Sequence, residues 1–417
     1  MPRVNWADTH TFTAPRFHRP ASVSDLQWIV SGSVRARALG TGHSFNAIAD
    51  TDGDLISLAD LPPTIEVDSA AASVKVSAGV RYGELAGELN RQGYALANLG
   101  SLPHISVAGA CATGTHGSGD ANTVLAGSVR GLDIVTAEGD LVTIDGAHAE
   151  QVLPGAVIAL GALGIVTGLT LAIEPTYQVR QDVYAGLPFA AVREHFDAIT
   201  GAGYSVSIFT SWQGDAVDMV WVKSRADRPA GEVDLREYGA VAATEPRNPV
   251  PGMSAGNCTG QLGVPGPWHE RLPHFRLDFT PSSGEEIQSE YLLPRQHAVA
   301  ALDAINDLGP RISPLLQISE IRTVAADDLW LSPAYARDSV AIHFTLVRDM
   351  LAVLPLLAEV ERALQPFDAR PHWGKVFTTQ PDIVGALYPR LADFEQLRAT
   401  LDPDGMFGNE FVDRYVG

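Results

Sequence analysis

The stretch ARALGTGHSFN, residues 36–46, closes a short β-rich run with a turn made of Gly40, Thr41, Gly42, His43 and Ser44. Glycine suits turn positions that need φ > 0 or a close backbone approach. Histidine has no such preference, so His43 at the tip calls for a chemical reason. The known glycine motifs do not supply one. Phe45 stands where G-x-G-x-x-G needs its third glycine, and Asn46 stands where the serine-hydrolase elbow G-x-S-x-G needs its second. The chain also has no G-x-x-x-x-G-K-[ST] phosphate loop.

A second small-residue passage, NLGSLPHISVAGACATGTHGSG, covers residues 98–119. It is too poor in large side chains to build a core, which suggests backbone pressed against a ligand. Two such loops, rich in amide N–H groups and hydroxyls, can cradle a pyrophosphate without a lysine. Between them run three β-rich segments, DLISLAD, TIEVD and SVKVSAG, and an amphipathic helix, GELAGELNRQG, with Leu85 and Leu89 one turn apart. A helix is also expected near Ser22 to Val30. LDIVTAEGDLVTI reads as a hairpin around Glu138-Gly139, and GIVTGLTLAIEP as a long closing strand.

The character changes at Pro175. Helical segments (AAVREHFDAIT, RQHAVAALDAIND) then alternate with strands (SVSIFT, DMVWVKS, SVAIHFTLV). A Pro/Gly-rich excursion from about Ala226 to Pro281 is long enough to suggest a lid or binding rim. The tail returns to helix in LADFEQLRATLDP. With 417 residues, two domains are the default. A formal charge of −20 disfavours nucleic acid and anionic membrane as partners. There is no apolar run long enough for a transmembrane helix, no signal-peptide pattern in MPRVNWADTHTF, and two cysteines only. These features predict a cytoplasmic protein. No metal site is expected.

RALGTGHSFN followed by SLPHISVAGACATGTHGSG resembles the FAD-binding domain of the vanillyl-alcohol-oxidase superfamily. SEIRTVAAD, SVAIHFT, RPHWGKVF and GVPGPWHERLPHF narrow the resemblance to the alditol (xylitol) oxidases of actinobacteria, over nearly the whole chain. The resemblance implies an α+β fold with a vanillyl-alcohol-oxidase-type (PCMH-like) FAD-binding domain. A substrate or cap domain with a mixed or antiparallel sheet flanked by helices accompanies it. The expected division is 1–175 for FAD, 176–373 for substrate, and 374–417 returning to the FAD domain. His43 is the implied attachment point of a covalent 8α-histidyl FAD. Gly40, Thr41, Gly42, Ser44, Ser101, Ser106, Gly109, Thr113, Gly114, Thr115, His116, Val166 and His372 are the implied cofactor-binding set.

On the substrate side, Glu320 and Arg322 stand at i, i+2, as do His343 and Thr345, so each pair shares one face of a strand. Taken alone, the first pair is more often a surface cross-strand ion pair, and the second is a half-buried strand with two polar residues. Lys375, beside Trp373, Val376 and Phe377, reads as a lysine whose burial lowers its pKa, with Gly374 allowing the tight turn that aims it inward. The resemblance places Ser101, Glu320, Arg322 and Thr345 around a polyol, with Lys375 and His343 as the catalytic pair. The implied reaction takes the terminal hydroxyl of an alditol such as xylitol or sorbitol to the aldose, and reduces O₂ to hydrogen peroxide. A monomer is expected. The alternatives are an FAD-dependent sugar or aldonolactone-type dehydrogenase, or a non-catalytic flavin- or sugar-binding protein.

Overall fold

In the computed structural model, residues 3–146, 151–228, 233–279 and 285–417 are described. The first third forms two sheets. Arg16–His18, Asp54–Ser57 and Ala36–Leu39 make a small parallel sheet with Asp54–Ser57 in the centre. Ile65–Asp68, Ser73–Ser77, Ile165–Ala172, Val129–Val135 and Leu141–Asp145 make an antiparallel sheet, with the expected hairpin at its edge. The helix Val23–Ser31 starts where Ser22 accepts from the Asp25 amide, and it buries Leu26 and Val30. The helix Tyr82–Arg91 buries Leu85 and Leu89 as their spacing requires.

From Gln178 onward the chain builds one large antiparallel sheet, nine-stranded among the described residues. Its middle runs Ser205–Thr210, Leu316–Val324, Ser339–Val347 and Glu286–Pro294. One face of these strands carries Ile321, Ile342, Phe344 and Tyr291. The helices Ala298–Asp307 and Met350–Leu364 bury Leu302, Ile305, Leu356 and Val360 in the same apolar cluster. Each fully buried aliphatic side chain there contributes about 1.5–3 kcal/mol. The opposite face is polar and turns toward the first third of the molecule. Alternation along each strand therefore gives the sheet a helix-covered side and a functional side.

Three local expectations change. AAVREHFDAIT forms two short helices, Phe189–Glu194 and Phe196–Thr200, that meet at His195. The second small-residue passage is not loop throughout: Val107–Ala112 is helical, and the Ala110 amide donates to the Ser106 carbonyl. Alanine's helix propensity outweighs the glycine there. The strand Glu286–Pro294 and the helix Met350–Leu364 escaped notice: the alternation at the start of the strand was passed over, and the helix opens on a nearly continuous apolar run that blurs its period. Of the expected excursion, residues 229–232 and 280–281 lie outside the described residues.

The C-terminal segment reaches back to the first third. The buried Arg37 guanidinium donates to the carbonyls of Phe407 (2.6 Å), Leu160 (2.6 Å) and Gly161 (2.9 Å). Asn409 donates to the carbonyls of Ala47, Ile48 and Asp50.

Candidate active site

Sheet register assembles a polar row across three neighbouring strands. Glu320 pairs with His343, and His343 pairs with Glu290, so all three side chains leave the same face. Arg322 lies two residues along from Glu320. Thr345 lies two along from His343, beside Gln288 on the next strand. All of these residues line one cavity between the large sheet and the first third of the chain.

Glu290 is the electrostatic centre of this row. Its carboxylate accepts from Arg322 Nη2 and from Lys375 Nζ, each at 2.7 Å. It also stands 3.3 Å from His116 Nε2 and 3.9 Å from His343 Nδ1. Burial alone raises a carboxyl's pKa, but Lys375 and Arg322 together hold Glu290 well below the usual range. Lys375 also meets His343 Nδ1 at 2.7 Å, and His343 Nε2 meets Thr345 Oγ1 at 3.0 Å. Burial, reinforced by Lys375, pushes His343 well below its ordinary pKa, so its imidazole is neutral at pH 7. Burial likewise lowers Lys375, against the opposing pull of Glu290. Sequence reasoning expected burial to lower Lys375 and missed Glu290, which faces it directly and opposes that shift.

At the other end of the cavity, Gly42 takes φ +69°, the left-handed conformation the turn demands. Gly40 answers a different need: a Cβ there would lie 2.5 Å from Ser106 Oγ. The turn and the small-residue passage therefore touch, and the Ser106 amide donates to Thr41 Oγ1 at 3.2 Å. Thr41 Oγ1 also meets His43 Nδ1 at 2.9 Å, and Trp6 stacks on the imidazole at 5.3 Å with an 18° tilt. His43 Nε2 is buried with no hydrogen-bond partner. Burial lowers the His43 pKa to about 4, so this free nitrogen carries a lone pair or a single proton at neutral pH, never both nitrogens protonated. An orphaned, neutral ring nitrogen in a wall of glycines and hydroxyls fits an FAD cradle with a histidyl attachment.

The turn also fixes Lys375. Asn46 Nδ2 donates to the carbonyls of Trp373 and Lys375, each at 2.8 Å, and the Phe45 amide donates to the Gly374 carbonyl at 2.8 Å. Gly374 does not adopt a left-handed conformation; a Cβ there would stand 3.2 Å from Ser44 Oγ, so close packing explains it. His372 Nδ1 accepts from the Gly374 amide at 3.1 Å, and burial lowers its pKa to about 3.

Thr41, Ser44, Ser101, Ser106, Gly109, Thr113, Thr115, His116, Val166 and His372 all line the cavity, together with Gly40, Gly42 and His43. Gly114 does not: the place of its missing side chain faces Pro333 and Ile158. Three residues that sequence reasoning passed over also line it: Glu290, Gln288 and His274. The signal for Glu290 was present in EIQSEYLLP, where Glu286, Gln288 and Glu290 alternate along an apolar strand. Pro249, Val250, His274 and Phe275 bring the long excursion to the cavity wall.

Two family models match, an FAD binding domain over residues 16–145 and D-arabinono-1,4-lactone oxidase over residues 283–415. An alditol oxidase from Streptomyces sp. is 52% identical over 98% of this chain and 97% of its own length. The chain belongs to the alditol oxidase family. It is thereby an FAD-dependent oxidoreductase of the vanillyl-alcohol-oxidase flavoprotein superfamily. More distant relatives include an L-gulono-1,4-lactone dehydrogenase from Mycobacterium tuberculosis, 27% identical over 99% of this chain and 98% of its own. The fold matches cholesterol oxidase from B. sterolicum with a TM-score of 0.79 at 14% identity, covering 100% of this chain and 96% of that one. Among the described residues no helix is long and apolar enough to cross a membrane, and no cluster of side chains could hold a metal ion.

Proposed function

We propose that this protein oxidises the terminal (C1) hydroxyl of alditols such as xylitol and sorbitol to the aldose, with FAD attached through His43 and O₂ reduced to hydrogen peroxide. The observation that supports this most is the buried row of Glu320, His343 and Glu290 with Arg322, Thr345 and Lys375, facing the same cavity as His43. Its mixture of donors and acceptors suits a chain of vicinal hydroxyls. FAD, when bound, supplies the two-electron acceptor and passes the electrons to oxygen.

The protein's own groups do the rest. His43 contributes a neutral imidazole nitrogen for the covalent bond, and the glycines and hydroxyls around it hold the cofactor. Arg322, Glu320, Thr345 and Ser101 bind the polyol. Lys375 takes the proton of the reacting hydroxyl when its amine is neutral, and the ammonium so formed lies 2.7 Å from Glu290. That placement makes proton uptake favourable, because the new charge meets a ready counterion. His343 shares the proton through the 2.7 Å contact between its Nδ1 and Lys375 Nζ.

This reading includes the division into 1–175, 176–373 and 374–417, a monomeric state and a cytoplasmic location. Cys111 and Cys258, both buried and unpaired, accord with a reducing compartment. An initial-rate panel of four- to six-carbon alditols with peroxide detection, run beside aldonolactones, tests the proposal. Alditol-dependent peroxide supports it. Turnover of lactones alone would replace it with the lactone activity named for the more distant relatives.

A further inference from the structure

Behind Glu320 lies a second buried chain of polar groups that the reaction itself does not use. Lys223, on the strand Met219–Arg225, is 1% exposed. Its Nζ donates to the carbonyls of Leu272 and Pro273 and meets His274 Nδ1 at 3.1 Å. Three acceptors surround a group with three protons, so the cage matches an ammonium. Because His274 Nδ1 accepts from that ammonium, the ring proton sits on Nε2, which donates to Glu320 Oε1 at 2.8 Å.

Arg322 favours the charged form of Glu320 but does not orient it. Its Nη2 is engaged by Glu290 at 2.7 Å, and its Nε lies 3.6 Å from Glu320 Oε1, beyond hydrogen-bond length. Both contacts to Glu320 address Oε1, which leaves Oε2 for a ligand hydroxyl. The same lysine clamps the excursion to the sheet, and the His274 amide ties it to the first third of the chain by donating to the Ser101 carbonyl at 3.1 Å.

We propose that Lys223 and His274 are a positioning relay that keeps Glu320 correctly turned, and so sets the enzyme's affinity for the remote hydroxyls of its polyol. The proposal rests on the reading that Glu320 binds substrate hydroxyls. The charged and titratable groups facing Lys223 are His274, Glu320, Arg322 and Cys258. His274 is lowered to about 4 by burial, Cys258 is raised to about 12 by burial, and Glu320 and Arg322 stay charged. Lys223, lowered to about 7 by burial, is the member of this group that titrates near neutrality. Below that point its ammonium fixes the His274 tautomer. Above it the amine can accept a proton from Nδ1, and the His274 lone pair turns toward the Glu320 carboxylate. Affinity for the polyol should therefore fall as pH rises.

The test is calorimetric binding of xylitol to the dithionite-reduced holoenzyme between about pH 6 and pH 9, paired with turnover of a short diol that lacks remote hydroxyls. Glu320→Gln, Lys223→Met and His274→Phe should each weaken xylitol binding about tenfold or more, the scale of a lost charge-assisted hydrogen bond. For Lys223→Met, whose side chain lies outside the cavity, turnover of the short diol should change by no more than about twofold, since that substrate makes no such contact. Lys223→Met should also flatten the pH dependence, and His274→Gln, whose amide can donate to Glu320, should restore most of the affinity. If Glu320→Gln weakens xylitol while Lys223→Met and His274→Phe do not, the relay is wrong and the role of Glu320 stands. If Glu320→Gln itself leaves xylitol binding unchanged, the role of Glu320 falls first. Wild-type binding that stays flat across the pH range overturns the tautomer change at Lys223, and unchanged xylitol binding in Lys223→Met overturns the relay.

Discussion

Glu290→Gln removes one negative charge and almost no volume from the centre of the site. In the wild type, that charge lies 2.7 Å from Lys375 Nζ. At an effective dielectric of 20, a unit pair at this distance attracts by about 6 kcal/mol. The glutamine carbonyl keeps part of this as a hydrogen bond. Arg322, released from its partner, adds repulsion in the opposite sense. A net loss of at least about 1.4 kcal/mol is therefore expected, which is one pKa unit. The sign follows from the base role. Glu290 raises the Lys375 pKa, so its loss must lower it. The neutral amine is then available at lower pH, and the acidic limb of the rate profile shifts down by one unit or more. The measurement is anaerobic stopped-flow bleaching of the flavin by xylitol as a function of pH. A limb that stays in place, or moves up, would refute Lys375 as the proton acceptor tuned by Glu290. The same substitution leaves Lys375 and Arg322 without their shared counterion in a buried site. A lowered melting temperature should accompany the shift.

Two further outcomes check the ends of the cavity. Denatured wild-type protein should retain flavin fluorescence at its own mass on a gel, and His43→Ala should lose it; flavin that washes out of the denatured wild type would end the covalent assignment. Lys375→Ala should slow flavin reduction about 10²-fold or more, the scale of a lost general base. Lys375→Arg should fail to rescue it, because a guanidinium keeps its proton in this range. Near-normal flavin reduction in Lys375→Arg would leave the side chain only a positioning role.

How much of this was legible in the chain differs from one feature to the next, for physical reasons. Turn chemistry is local: Gly40, Gly42 and His43 announce a close approach and an unusual histidine within five residues, and the small-residue passage does the same. Strand period is local too. Glu320 with Arg322, and His343 with Thr345, could be assigned to shared faces from spacing alone, and each pair indeed faces the cavity. Those words, together with the family likeness, settled the fold class and the flavin-dependent oxidoreductase before any coordinate. Register is not local. That Glu290 sits beside His343, and that Lys223 reaches His274 fifty-one residues on, depends on which strands neighbour each other and on where a long excursion folds back. A buried glutamate and a buried lysine look, in a sequence, like any two charges. Only tertiary structure removes water from around them, and that loss of solvent is what forces each to find a partner and gives the pair its chemistry.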